Sequence, residues 1–170
     1  MIVLLGYMGS GKSSVAEFLA KNKGFRHLDL DKYIEAKEDL SVSKIFDKKG
    51  EIYFRKIETK YLIELLHHNS IDVLSVGGGT PCYADNMKLI NDFASHSYYL
   101  KIDLDVLTKR LFKIRSNRPL ISHFEEENQL LDFVRKHLFE REFYYRQAKR
   151  VLNVSALSVA QIAETIIAEN

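Results

Sequence analysis

Residues 6 to 13 read GYMGSGKS, three glycines ahead of a lysine and a serine at the spacing G-x-x-x-x-G-K-[ST]. Such a loop wraps phosphate oxygens in backbone N–H groups, because glycine turns freely and has no side chain to block the approach. Within the nucleotide-binding stretch Gly9, Ser10, Gly11, Lys12, Ser13 and Ser14, the Lys12 ammonium is suited to the β and γ phosphates and the Ser13 hydroxyl to Mg²⁺. Ser14 is a bystander to the chemistry. The loop specifies a nucleoside triphosphate but no reaction, since hydrolases and kinases share it.

Acceptor chemistry has to come from other residues. Asp29 and Asp31 are two apart, which puts both carboxylates on one face of an extended chain. One can hold Mg²⁺ through water while the other accepts or orients the proton of an attacking hydroxyl, with the metal and nearby cations keeping both ionised. The plainer alternative is that one or both cap a helix over 32–37. Arg55 lies in GEIYFRKIE, a helical stretch that Ile52, Phe54 and Ile57 would anchor, and Arg141 lies in EREFYYRQAKR. Two separated guanidinium groups can grip a small carboxylate, or each can simply sit on a solvated face. Gly77, Gly78 and Gly79 admit a substrate close to main-chain N–H groups, or make a plain turn. Pro81 and Cys82, which follow, read as structural.

A basic cluster of Lys109, Arg110, Lys113, Arg115 and Arg118 spans a helix and an aperiodic segment over 115–128, expected to be a mobile lid. Arg118, beside Pro119, is placed to reach ATP phosphates on closure, and Arg110 to lie over adenine. Nucleic acid is a poor partner for this cluster: aromatic residues do not interleave with it, and Glu125 to Glu127 follow. The six histidines show no zinc spacing, and His67 with His68 falls at a helix carboxyl end.

Buried strands and amphipathic helices must position these groups. Ile2–Leu5 is a continuous apolar run ended by glycine, and similar runs recur over 73–76, 98–102 and 151–154, each reading as a parallel strand buried on both faces. A further strand over 27–30 carries the aspartates. Val15, Phe18 and Leu19 form one helical stripe, and Tyr61, Leu62, Leu65 and Leu66 form another. Ser158 with Gln161 has capping-box spacing and opens a last helix bearing Ile162, Ile166 and Ile167. The alternation predicts a three-layer α/β fold with a central parallel sheet and ligands at the strands' carboxyl ends.

A chain of 170 residues with 46% apolar composition fits one domain over 1–170 without help from disulfides. Its 25 basic and 23 acidic residues leave a net charge of +2, no broad case for a nucleic-acid or membrane partner. The lone Cys82 cannot make an internal disulfide, and the apolar start is too short for a signal segment or a span, so a cytoplasmic location is expected. With no apolar interface stripe in view, a monomer is the default.

Together these stretches resemble the shikimate kinases over nearly the whole chain. GYMGSGKSS looks like that family's phosphate loop, HLDLDKYIE like its paired-aspartate segment and GEIYFRKIE like its substrate helix; VGGG, RPLI and EREFYYRQA complete the pattern. The resemblance implies a nucleoside monophosphate kinase-like fold and phosphoryl transfer from ATP, with Mg²⁺, to the 3-hydroxyl of shikimate, a step of aromatic amino-acid biosynthesis. It further implies that Asp31, Arg55 and Arg141 bind shikimate beside the glycine triplet, with Asp31 as base. Lys12 and Arg118 would stabilise the transferred group, Ser13 and Asp29 would serve Mg²⁺, and Arg110 would face adenine. Three departures stand out. Leu30 and Val76 occupy positions where the family commonly has a hydroxyl residue, and no proline follows the last strand to pack on adenine. A kinase for another hydroxylated acid such as gluconate, or a nucleotide-binding module without transfer, are the rival readings.

Overall fold

A computed structural model describes residues 1–169. Five strands, β1 (Ile2–Leu5), β2 (His27–Asp29), β3 (Val73–Ser75), β4 (His96–Lys101) and β5 (Arg150–Asn153), form one sheet in the order β2-β3-β1-β4-β5, and every pairing is parallel. Successive strand residues point to opposite faces. Because every residue of β1 and β3 is buried, both faces of the sheet must be covered. Seven helices do this: α1 (Lys12–Lys23), α2 (Leu30–Glu38), α3 (Val42–Leu66), α4 (Asn86–Phe93), α5 (Leu104–Lys113), α6 (Glu127–Tyr145) and α7 (Val159–Ala168). α1 packs on α7, α2 on α3, and α5 on α6. The three-layer α/β expectation holds.

Two expected strands shift. The run over 27–30 ends at Asp29, because Leu30 turns into the core as the first residue of α2. Asp31 therefore stands in the first turn of a helix and not on an extended chain. The last strand is Arg150–Asn153, largely exposed at the sheet edge, so it is not buried on both faces; Val154, just past it, is the buried residue.

α3 is two helices joined at Gly50, whose φ of 80° and ψ of 168° are not helical. A residue with a side chain would be strained there, so the glycine sets the angle at which the Arg55 helix leaves. Phe54 and Ile57 anchor that helix in the core as expected, whereas Ile52 points to solvent. The 115–128 segment contains a 3-10 turn at Arg115–Asn117 and is tied down by buried Ile121 and by Phe124, whose ring lies 5.2 Å from that of Phe133 on α6.

At the other end of the chain the capping box is present: the Ser158 hydroxyl accepts from Gln161 N at 3.3 Å, and the Ser158 N–H donates to Gln161 Oε1 at 2.9 Å. Ser158→Ala is expected to cost about 1 kcal/mol, lowering the thermal midpoint by roughly 2 to 4 °C in calorimetry.

Candidate active site

Helix α1 begins without a side-chain cap and without an acidic residue in its first turn. Its first N–H groups are thus open to an anion, and the helix dipole favours one. Gly6, Gly9 and Gly11 all have positive φ, which lets the loop ahead of the helix curl. Lys12 is folded back into this loop, donating to the carbonyls of Gly6 at 2.7 Å and Tyr7 at 3.0 Å. Burial pushes the Lys12 ammonium down to about 8, against the pull of Asp31 and Asp29.

A cleft of about 680 Å³ opens over the loop, and Asp29, Asp31, Gly77, Gly78, Arg110 and Arg118 all contribute to its walls. One carboxylate serves three elements there. Asp29 Oδ1 caps α2 by accepting from the N–H groups of Asp31 at 3.1 Å and Lys32 at 3.3 Å. Its Oδ2 accepts from the Ser13 hydroxyl at 3.3 Å and the Ser75 hydroxyl at 2.8 Å. Mg²⁺ bound with a nucleotide needs one or two protein oxygens and takes the rest from phosphate and water, so the Ser13–Asp29 pair fits it.

Asp31 does not keep the ordinary carboxylate range. Burial, then the charges of Asp29 and Glu58, push it up to about 6, and Lys12 only partly offsets them. The Lys12 ammonium alone thus does not return it to the ordinary range, and the sequence expectation of an ionised pair counted on a metal as well.

The glycine triplet is where the second set of side chains meets. None of the three has positive φ, so turn geometry does not explain them. Close approach does. A Cβ on Gly79 would sit 2.6 Å from Arg55 Nη2, one on Gly77 would sit 3.0 Å from Asp31 Oδ1, and one on Gly78 would lie 3.7 Å from Arg141 Nη1. Arg55 is locked by buried Glu58, whose Oε2 accepts from Nη1 at 2.8 Å, and by Glu51 at 3.3 Å. Glu58 Oε1 in turn accepts from the Thr80 hydroxyl at 2.6 Å. Arg141, by contrast, makes no salt bridge among the described residues; its Nη2 meets His137 Nε2 at 2.9 Å and its guanidinium lies 5.7 Å from the Tyr7 ring centre. Tyr145, on the same helix, donates to the Gly78 carbonyl at 2.5 Å. The glycine triplet thus lies between the phosphate loop, the raised carboxyl and the two guanidinium groups, although Arg55, Gly79 and Arg141 stand outside the cleft lining itself.

The family model for shikimate kinase matches residues 8–169. The chain belongs to the shikimate kinase family. A shikimate kinase of Flavobacterium johnsoniae is 43% identical over 166 residues, 98% of this chain and 96% of that protein. Among solved structures, shikimate kinase from Bacteroides thetaiotaomicron superposes with a TM-score of 0.87 at 32% identity, covering 98% of this chain and 97% of that one. Shikimate kinase from Acinetobacter baumannii in complex with shikimate gives a TM-score of 0.83 at 32% identity, covering 98% and 89%.

Against that family, the two lost hydroxyls have a structural answer. Leu30 and Val76 are buried apolar residues, and in this chain Asp29 accepts a hydrogen bond from the Ser75 hydroxyl. The absent proline also has a counterpart in place, since Leu157, Val159 and Ile162 line the same cleft as Arg110. Sequence reasoning missed Glu58, Ser75, His137 and Tyr145, none of which carries a local signal, and did not place Leu157 and Val159 in the cleft. Burial pushes the Cys82 thiol up to about 11, which disfavours the reactive thiolate.

Glu58→Ala would strand the Arg55 charge and the Thr80 hydroxyl. A loss of about 2 to 4 kcal/mol in urea unfolding is expected, somewhat under the full cost for a buried pair because Arg55 retains some exposure. Glu51→Ala, at a solvated partner, should cost under about 0.5 kcal/mol in the same measurement.

Proposed function

We propose that this kinase transfers the γ-phosphoryl group of ATP to the 3-hydroxyl of shikimate, as a cytoplasmic monomer. The observation that carries the reading is the convergence of Asp31, Arg55 and Arg141 on Gly77–Gly79 beside the phosphate loop. Arg141 and Arg55 bind the substrate carboxylate. Of the two, Arg141 is the stronger anchor, because no protein carboxylate neutralises it among the described residues. With the carboxylate fixed, the ring hydroxyls face Asp31 and the main chain of Gly77, Gly78 and Gly79.

Asp31 accepts the proton of the attacking hydroxyl, a task suited to a carboxyl raised to about 6. Lys12 swings from the loop carbonyls to the transferred group, and Arg118 approaches it as the 115–128 segment closes. Phosphoryl transfer needs little covalent help; alignment and cations around the equatorial oxygens carry it. Mg²⁺, when bound with ATP, supplies charge neutralisation at the phosphate oxygens, and Ser13 and Asp29 would hold it. Arg110 covers one side of adenine, with Leu157 and Val159 offering apolar surface in the same cleft. No described helix is long and apolar enough to cross a membrane.

The test is ADP release from ATP and Mg²⁺ with shikimate, gluconate or nucleoside monophosphates as parallel acceptors. Release that depends on shikimate alone is expected; release with gluconate instead would reassign Arg55 and Arg141. ATP binding without any turnover would turn the reading to a nucleotide-binding module. Asp31→Asn should lower kcat by roughly 10²-fold or more with ATP affinity nearly intact, and equal turnover would remove the base assignment.

A further inference from the structure

The ring of His137 is wedged between the phosphate loop and α6, half-buried. Tyr7 meets it edge-on at 5.7 Å from the loop side, and Phe133 lies 5.1 Å away on α6. Both ring nitrogens are engaged, Nδ1 with the Tyr7 hydroxyl at 2.8 Å and Nε2 with Arg141 Nη2 at 2.9 Å. A guanidinium has donors only, so Nε2 must be the acceptor. A neutral imidazole carries one proton, and that proton must then sit on Nδ1 and be donated to the Tyr7 oxygen. The opposite tautomer would point an N–H at an N–H. An imidazolium would do the same and add a like charge.

We propose that His137 is a positioning residue for Arg141, held as the neutral Nδ1-protonated imidazole, and that protonating it in acid releases the guanidinium from its grip on the substrate carboxylate. The proposal rests on the shikimate reading above. The polar groups that face it are the Tyr7 hydroxyl from the phosphate loop and Arg141 from its own helix, and the charges that act on it are those of Arg141 and Glu140. Burial first and Arg141 second hold it below its ordinary value near 6.5, with Glu140 opposing them. The neutral acceptor therefore dominates at neutral pH, and is lost only as pH falls through that lowered value. Tyr7 does not compete for the proton, because burial keeps its phenol protonated well above the ordinary range.

Two measurements on the full chain test this. Long-range proton–nitrogen NMR of the imidazoles should find His137 protonated at Nδ1 and bare at Nε2 at neutral pH; a proton on Nε2 overturns the proposal. Steady-state kinetics between about pH 5.5 and 8 should then compare the native protein with two variants. His137→Gln keeps an acceptor and a donor without titrating, and His137→Phe keeps a ring without either nitrogen. The phenylalanine variant should raise KM for shikimate by about 10-fold while KM for ATP moves less than about twofold. The glutamine variant should restore KM near neutrality and lose the extra rise in acid. Asp31 contributes an acid limb common to all three proteins, so the native-to-glutamine ratio of KM isolates His137. An unchanged KM for shikimate in His137→Phe, or the same acid rise in His137→Gln, overturns the proposal. If the native protein shows no turnover with shikimate at all, the substrate reading fails, and the NMR assignment alone decides the state of His137.

Discussion

The site depends on three consecutive residues that have no Cβ. At the carboxyl end of β3 the Arg55 guanidinium lies so close to Gly79 that a methyl group there would come within 2.6 Å of its nitrogen. Contacts under 3 Å between carbon and a held guanidinium are repulsive, and Arg55 cannot yield cheaply because Glu58 and Glu51 fix it. The first turn of α2, the helix after the Gly50 break, α6 and the phosphate loop can all reach one point only because the backbone there is bare. A glycine run is costly in conformational entropy, and here that cost is offset by bringing a carboxyl and two guanidinium groups together.

The two guanidinium groups are not equivalent, and their partners explain why. Arg55 is neutralised by a glutamate that is itself buried and hydrogen-bonded to Thr80, so it acts as a rigid, pre-oriented donor fork. Arg141 is positioned by neutral groups, the His137 imidazole, the Tyr7 ring and the Tyr145 hydroxyl, which fix its direction and leave its charge unspent. A carboxylate entering between them is drawn chiefly to the charge that has no counterion.

Much of this was legible in the sequence, where the signal is local. The phosphate loop, the buried strands β1, β3 and β4, the capping box and the inward side chains Phe54 and Ile57 each follow from spacing within about one turn or one strand, whereas Ile52 and the exposed β5 do not. The role of the glycine triplet was ambiguous because the deciding fact is which side chain arrives from elsewhere. Glu58 meets Thr80 across 22 residues, Tyr145 meets Gly78 across 67 and Tyr7 meets His137 across 130. No spacing rule spans such distances, so these positioning groups were invisible until the chain was folded. The paired aspartates are a different case: capping and metal service read as alternatives in the sequence, yet a carboxylate has acceptor sites enough for both. Asp29 caps α2 with one oxygen and faces Ser13 and Ser75 with the other. Leu30, between the two aspartates, is the first residue of α2 and is fully buried in the core.

Tyr7 joins the two halves of the site. Its backbone carbonyl accepts from the Lys12 ammonium, and its ring hydroxyl meets the imidazole that orients Arg141. The Lys12 ammonium and the Arg141 guanidinium are therefore both referenced to the same buried residue, 1% exposed. Under the proposed function, the groups that meet nucleotide and acceptor would therefore take their positions from one side chain, and a residue so closely packed has little freedom to let the two drift apart.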